Sequence, residues 1–401
     1  MLMHLALRNL LRNPRRTLAI LLTVAIGTGS LFLFHGFNSG IMNQYRDNTI
    51  HARFGYGQIE TKGYGDRVYE RPWEHWIEHA DDLRKELLAL PGVRQVFPRV
   101  NFPALLSSGR ITVSGKGQGI DGAEEFEFFN TLNFESGKNL YDEPDGIVLG
   151  VGLAKGLGVQ VGDPVTVLAR GAAGSMNQSV LKVTGIFHTG IKEFDETIFR
   201  IPLKVALAML QTDRVESVAL GLGAEKDFAT VSNYIRTRHP GLEAIPFSVL
   251  DKVYYQHSVD WLGAQFGVIQ IIILTIVVLG IFNTVSTGVL ERKQEIGTLR
   301  ANGESRRDVM LLLGMEGLAM GTLGAALGIL LALVLNATVL SNGILMPPAP
   351  GITRQFQVLI ELAPAMAVKT ALLGIGGTLL GTLVAGVRVV RLGIAESLRA
   401  L

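Results

Sequence analysis

Residues 261–290 read WLGAQFGVIQIIILTIVVLGIFNTVSTGVL, thirty residues without a charge between Asp260 and Glu291. A helix needs about 20 apolar residues to cross the hydrocarbon core of a bilayer. Charge-free runs this long are rare in the cores of soluble folds. Working outward, residues 17–37 also carry no charge, 309–340 are interrupted only by Glu316, and 365–387 only by Lys369. The pattern predicts four transmembrane helices: 17–37, 263–290, 309–340 and 365–387. The first is expected to be an uncleaved anchor. Its apolar stretch is longer than a signal-peptide core, and no small-x-small cleavage site follows it.

Basic residues set the orientation. Residues 1–16 hold Arg8, Arg12, Arg15 and Arg16; the 291–308 loop holds Arg292, Lys293, Arg300, Arg306 and Arg307; and the 388–401 tail holds Arg388, Arg391 and Arg399. Those three segments carry 12 basic against 5 acidic residues, whereas residues 38–262 carry 23 against 28. One topology satisfies this: both termini and the 291–308 loop in the cytoplasm, and 38–262 outside. The net charge of +2 over 401 residues therefore averages two opposed faces. It gives no reason to expect a nucleic-acid partner. With no cysteine, thiolate metal sites, iron–sulfur clusters and thiol chemistry are excluded.

The 38–262 segment reads as an α+β domain. Trp73, Trp76, Ile77, Ala80, Leu83 and Leu87 recur at helical spacing up to Leu90-Pro91-Gly92, and Val93–Val100 reads as a strand. Phe228, Val231, Tyr234 and Ile235 repeat the pattern up to His239-Pro240-Gly241, before the strand-like 242–247. Candidate strands 57–61 and 217–222 precede the two helices. Two β-α-β units suggest a ferredoxin-like module. A β-rich subdomain is expected as an insertion at about 101–210, with strands near 110–114, 164–169, 180–187 and 197–201. Helical stalks are expected at both ends of the domain, near 38–50 and 249–262.

Within the spans, Gly317 and Gly321, Gly324 and Gly328, and Gly377 and Gly381 form small-xxx-small pairs that allow close helix approach. Packing inside the bundle is the favoured use, a subunit interface the alternative. Glu316 and Lys369 fall toward opposite membrane faces, so both are expected to snorkel to the interface rather than pair.

The loop Glu291-Arg-Lys-Gln-Glu-Ile-Gly-Thr-Leu-Arg300 continues through Gly303 to Ser305-Arg-Arg-Asp308, a capping box for the third span. Glu291, Arg292, Lys293 and Glu295 suit a short helix along the membrane, with Ile296 and Leu299 as its apolar face. It reads either as a solvated basic loop or as a docking helix for a cytoplasmic partner. His75-Trp76-Ile77-Glu78-His79 fits a zinc pattern only if the two histidines share a helix face, and no third ligand stands out. The glycines at 150, 152, 156 and 158 lack the spacing and following acid of a dinucleotide fingerprint. No catalytic, cofactor or metal site is expected.

The 291–308 loop resembles the coupling segment of ABC permeases of the FtsX/MacB/LolC–LolE superfamily. Leu7–Leu10 with Arg12–Thr17 resembles that family's amphipathic helix leading into the membrane. Gly146–Val165 and Val183–Asp195 resemble its outer domain, most closely in lipoprotein-releasing LolC and LolE, and Val387–Leu398 resembles its C-terminal tail. Ala301-Asn302-Gly303 and Gly393-Ile394-Ala395 depart from the commoner family wording.

The resemblance implies a non-catalytic inner-membrane permease subunit with a periplasmic domain. The chain has no Gly-x-x-x-x-Gly-Lys-Ser/Thr, so ATP–Mg is expected on a separate cytoplasmic ATPase, in two copies. Glu291, Arg292, Lys293, Glu295, Ile296, Leu299, Arg300, Arg306 and Arg307 are then the expected coupling residues. A second permease copy or homologue is implied as partner, and a lipoprotein or other amphiphile as cargo. The alternatives are an FtsX-like regulator of periplasmic hydrolases and a MacB-like efflux permease with a periplasmic adaptor.

Overall fold

The computed structural model describes residues 14–67, 72–130, 132–141, 143–252, 256–347 and 355–391. The leading 1–13 stretch and the 392–401 tail, on which two of the family resemblances fall, lie outside the described residues. The chain divides into two compact units. One comprises Met1–Asn43, Asp260–Met346 and Gln357–Leu401; the other comprises Gln44–Val259 with Pro347–Phe356.

In chain order, α1 (Pro14–Thr49) is followed by a π-helical turn (Ile50–Phe54), β1 (Gly57–Thr61), α2 (Ala80–Leu88), β2 (Val93–Ser107), β3 (Thr112–Ile120) and α3 (Gly122–Phe128). Then come β4 (Asn133–Gly137), β5 (Gly146–Gly150), α4 (Val151–Leu157), β6 (Pro164–Arg170), β7 (Met176–His188), α5 (Lys192–Thr197) and β8 (Ile198–Pro202). After α6 (Leu203–Leu210), β9 (Ser217–Leu222), α7 (Phe228–Arg238) and β10 (Leu242–Pro246), the chain enters α8 (His257–Leu290) and α9 (Lys293–Ala301). It closes with α10 (Arg306–Thr338), the short strands β11 (Ile344–Met346) and β12 (Phe356–Val358), and α11 (Pro364–Arg391).

Among the described residues, four helices are long and apolar enough to cross a membrane: α1, α8, α10 and α11. With 36 and 34 residues, α1 and α8 are each about 50 Å long at 1.5 Å per residue, well beyond a bilayer core. Ile20, Val24, Ile281, Val285, Ala319 and Met320 form one buried cluster inside the bundle. At the far end of α10, Glu361 N–H donates to Gly36 C=O at 3.0 Å, fixing the segment after β12 along α1. A side chain at Gly40 would run into the Leu359 carbonyl.

The second unit is built on a ten-stranded mixed sheet, in the order β10-β1-β9-β2-β3-β8-β5-β7-β4, with β6 bridging β2 and β7. The first four strands are antiparallel. Val218, Leu220 and Leu222 of β9 point to one face because side chains alternate along a strand. There they meet Leu83 and Leu87 of α2, and Val231 and Ile235 of α7. Full burial of each such side chain stabilises by about 1.5–3 kcal/mol.

Strand β2 joins two regions of this sheet. Its Val96–Val100 stretch is buried throughout and pairs with β9 as far as Arg99, whereas Val100 onward pairs with β3 and 101–107 alternates exposed and buried. The sequence reading ended this strand at Val100. The alternation past that point is that of a strand covered on one face only. The β-rich region is thus an extension of the same sheet through one continuous strand.

The helix read from Trp73 to Leu87 is corrected. Pro72–His75 is a 3₁₀ turn, and the α-helix starts only at Ala80. His79 sits in the left-handed region (φ 51°), and Ile77 makes an isolated bridge to Val215. Trp76 instead enters the other core, its indole N–H donating to Tyr64 Oη at 3.1 Å. His75 and His79 therefore do not share a helix face, and no cluster of three or more metal-binding side chains occurs among the described residues.

Candidate functional site

Helix α9 is short, yet it is tied to three spans. Ile296 is buried and Leu299 half-buried, one turn apart on the face that meets Val289 of α8, Val309 and Leu313 of α10, and Val389 and Val390 of α11. Two arginines add polar ties. Arg292 Nε donates to Glu295 Oε2 at 2.8 Å, and its Nη1 donates to Glu316 Oε2. Arg300 Nη1 donates at 2.9 Å to the carbonyl of Val390 in the last turn of α11. Such terminal carbonyls have no partner within their own helix.

This corrects the expectation for Glu316. It does not snorkel. Its side chain is 3% exposed and lies beside Arg292, which the turn after α8 carries to it. Burial alone would lower the Arg292 pKa, but Glu316 and Glu295 outweigh it and hold the guanidinium above its ordinary value. Lys369 is exposed near the start of α11.

After α9 the chain turns at Gly303, whose φ of 97° favours glycine. Ser305 and Asp308 then form the capping box: Asp308 N–H donates to Ser305 Oγ at 3.2 Å, and Ser305 N–H donates to Asp308 Oδ2 at 3.3 Å. Arg306 and Arg307 are exposed in the first turn of α10. Cations there oppose the helix dipole, so the helix itself gains nothing from them. Glu291 is exposed and Lys293 half-buried. The nine sequence-selected residues thus divide. Arg292, Glu295, Ile296, Leu299 and Arg300 bind α9 to the bundle, Glu291, Arg306 and Arg307 face outward, and Lys293 lies half-buried between the two groups.

The glycines serve three different contacts in the bundle. A Cβ at Gly317 would lie 2.5 Å from Thr382 Oγ1, and one at Gly321 3.0 Å from Ile375 Cα, both on α11. A Cβ at Gly324 would lie 2.7 Å from Val24, and one at Gly328 would run into Ala25 and Thr28, all on α1. Gly381 would approach Phe282 Cα of α8 at 3.2 Å, while Gly377 has its nearest neighbour, Ile281, at 3.9 Å.

Sequence reading missed a buried charge cluster in the sheet unit. Arg99, 2% exposed, makes a two-pronged pair with Glu125 at 2.6 Å on each arm and lies 3.9 Å over the Phe129 ring. It also donates to the Arg53 carbonyl, while Arg200 donates at 3.1 Å to the Ala52 carbonyl. Both carbonyls belong to the π-helical turn, so the arginines fasten that turn to the sheet. Burial first, then Arg99 and Arg53, pulls the Arg200 pKa down to about 10. The available signal was a lone arginine inside an apolar strand: Val96-Phe97-Pro98-Arg99-Val100 and Ile198-Phe199-Arg200-Ile201.

The model of the MacB-like periplasmic core domain matches residues 17–238, more than half the chain, and that of the FtsX-like permease C-terminal matches 267–394. The chain belongs to the FtsX/MacB/LolC family of ABC-transporter permeases. The permease is 27% identical over 292 residues to the lipoprotein-releasing system transmembrane protein LolE of Haemophilus influenzae, covering 68% of each chain. It is 25% identical over 339 residues to LolC of Neisseria meningitidis serogroup B, covering 80% of this chain and 77% of that one. Over 49% of its length it is also similar to 90% of the periplasmic region of MacB from Actinobacillus actinomycetemcomitans, with 14% identity and a TM-score of 0.38, too low to bear on the fold.

Proposed function

We propose that this permease couples ATP hydrolysis on a separate cytoplasmic ATPase, two copies with ATP–Mg, to movement of its outer domain, and so releases a lipoprotein or other amphiphile from the membrane. The observation that carries the reading is the anchoring of α9. A helix held by an apolar face, a buried ion pair and a capped carbonyl can pass force to three spans at once. The outward Glu291, Arg306 and Arg307 offer the ATPase a charged contact.

The basic loop and termini favour a cytoplasmic side, which leaves 38–262 in the periplasm of an inner-membrane protein. We read the β10-β1-β9-β2 order with α2 and α7 on one face as the ferredoxin-like module, and β3–β8 as its β-rich insertion. A second copy or homologue completes the transporter. The LolE and LolC relatives support a lipoprotein cargo over the efflux and hydrolase-regulator readings.

The test is reconstitution with the ATPase that co-purifies with the permease, in proteoliposomes carrying a triacylated protein. ATP-dependent appearance of that protein in the soluble phase is expected. Hydrolysis without release contradicts the cargo assignment.

A further inference from the structure

The ten-stranded sheet ends differently at its two edges. At one edge β4 is bulged between Phe134 and Ser136 and stops at Gly137, whose φ is 76°. Such irregularity keeps an edge from adding a further strand. At the other edge β10 pairs with β1 in unbroken register, and it carries no lysine or arginine, with Pro246 only at its end. Among the described residues no strand lies beyond β10.

The ladder fixes which backbone groups face that open edge. Lys62 N–H donates to the Gly241 carbonyl at 2.9 Å, and Phe247 N–H to the Tyr56 carbonyl at 3.3 Å. Residues along an antiparallel pair alternate between bonding the partner and turning away from it. Residues 241, 243, 245 and 247 therefore turn to β1, and Leu242, Ala244 and Pro246 turn outward. Leu242 N–H is taken by the His239 carbonyl at 2.9 Å, and proline has no N–H. Ala244 N–H, Ala244 C=O and Leu242 C=O line the open edge.

A groove of about 350 Å³ opens where the end of β10 meets α7, the helix that packs on this strand. Tyr56, Phe228, Pro246 and Phe247 give it an apolar lining, and Ala229 and Ser232 of α7 flank it. The Phe228 ring lies over Gly57, where a side chain would collide with it.

We propose that this edge and groove take an extended segment of another polypeptide as an added strand, with one large apolar side chain of that segment in the groove. The backbone groups select the occupant. A segment running antiparallel exchanges two bonds with Ala244, and its residue two positions on donates to the Leu242 carbonyl. The β10 of a second copy fits less well. With Ala244 facing Ala244, it sets Pro246 opposite Leu242, and proline has nothing to donate to that carbonyl. A foreign segment without proline there satisfies all three groups. An acyl chain would fill the groove and leave the edge unbonded.

The experiment is fluorescence anisotropy with the full chain in maltoside detergent. One probe is a labelled nine-residue peptide of alternating threonine and valine with phenylalanine at its centre. The other is its fully N-methylated analogue, which keeps the side chains and has no N–H to donate. Saturable binding of the first is expected, and binding about tenfold or more weaker for the second, as for loss of two or three hydrogen bonds. A244P removes the outward donor and no bond to β1, so it should keep an unfolding midpoint near the parent's. A229W fills the groove from α7. Each variant should weaken binding about tenfold or more. Absence of saturable binding, equal binding of the two probes, or binding unchanged in either variant overturns the proposal. Loss of self-association in A244P also overturns it, by giving the edge to a second copy.

Discussion

Arg292, in the turn before α9, forms an ion pair with Glu316, 24 residues later and 3% exposed within the α10 span. The pair locks the loop helix to the bundle at a point the apolar contacts of Ile296 and Leu299 do not reach. Arg300 makes the second lock on the carbonyl of Val390. A rigid tie between loop and spans is what a force-bearing element requires.

Removing one partner of a buried pair leaves an uncompensated charge and costs roughly 3–5 kcal/mol, whereas replacing both by apolar groups is often neutral. R292M and E316L should each lower the thermal unfolding midpoint in detergent. The R292M/E316L double variant should recover most of that loss. Additive losses in the double variant would mean that the two residues act separately.

The glycines make a graded prediction. At Gly328 a methyl group would meet the Ala25 carbonyl and Thr28, so G328A should cost about 1–3 kcal/mol by overpacking. At Gly377 the nearest neighbour is 3.9 Å away, and G377A should stay within about 0.5 kcal/mol of the parent. Unfolding midpoints of the two variants measured side by side check the order.

Glu60 supplies a pH dependence. Burial first, then Glu216 and Glu243, raises its pKa to about 7 in the folded domain. An acid with a raised folded pKa contributes stability below its unfolded value, near 4.5, and that contribution is lost as pH climbs to about 7. E60Q should therefore unfold at a higher temperature than the parent at pH 8, with the gap closing toward pH 5. A constant gap across that range would contradict the assignment.

The buried pair at the sheet junction should be intolerant of asymmetry. E125Q leaves Arg99 without its charge partner in a site where both side chains are nearly inaccessible. The permease should lose thermal stability on the order of 3 kcal/mol. R99K, which cannot make the two-pronged bond, should lose stability as well. Midpoints near the parent's would show the pair to be dispensable.

Much of this was legible in the residues, because long apolar runs and period-two strands are local signals. β1 and β9 fall at 57–61 and 217–222, where alternation and flanking turns mark them. The helix at Trp73 failed for a physical reason. Apolar residues three or four apart also suit a 3₁₀ turn followed by an irregular bend, and Trp76 turned out to belong to another core. Long-range pairing was invisible. Glu316 reads as a lone acid in a span until the loop brings Arg292 back to it. The junction cluster joins residues 53, 99, 125 and 200, which share no spacing.

The outward arginines carry the coupling claim. Because Arg306 and Arg307 are exposed and run against the helix dipole, reversing them should leave the fold intact. The decisive measurement is ATP hydrolysis by the co-purified ATPase, with the parent permease and with R306E/R307E at matched unfolding midpoint. The account predicts that stimulation by the permease falls about tenfold or more and co-purification weakens, as for loss of paired interfacial charges. Unchanged hydrolysis with unchanged co-purification would contradict it.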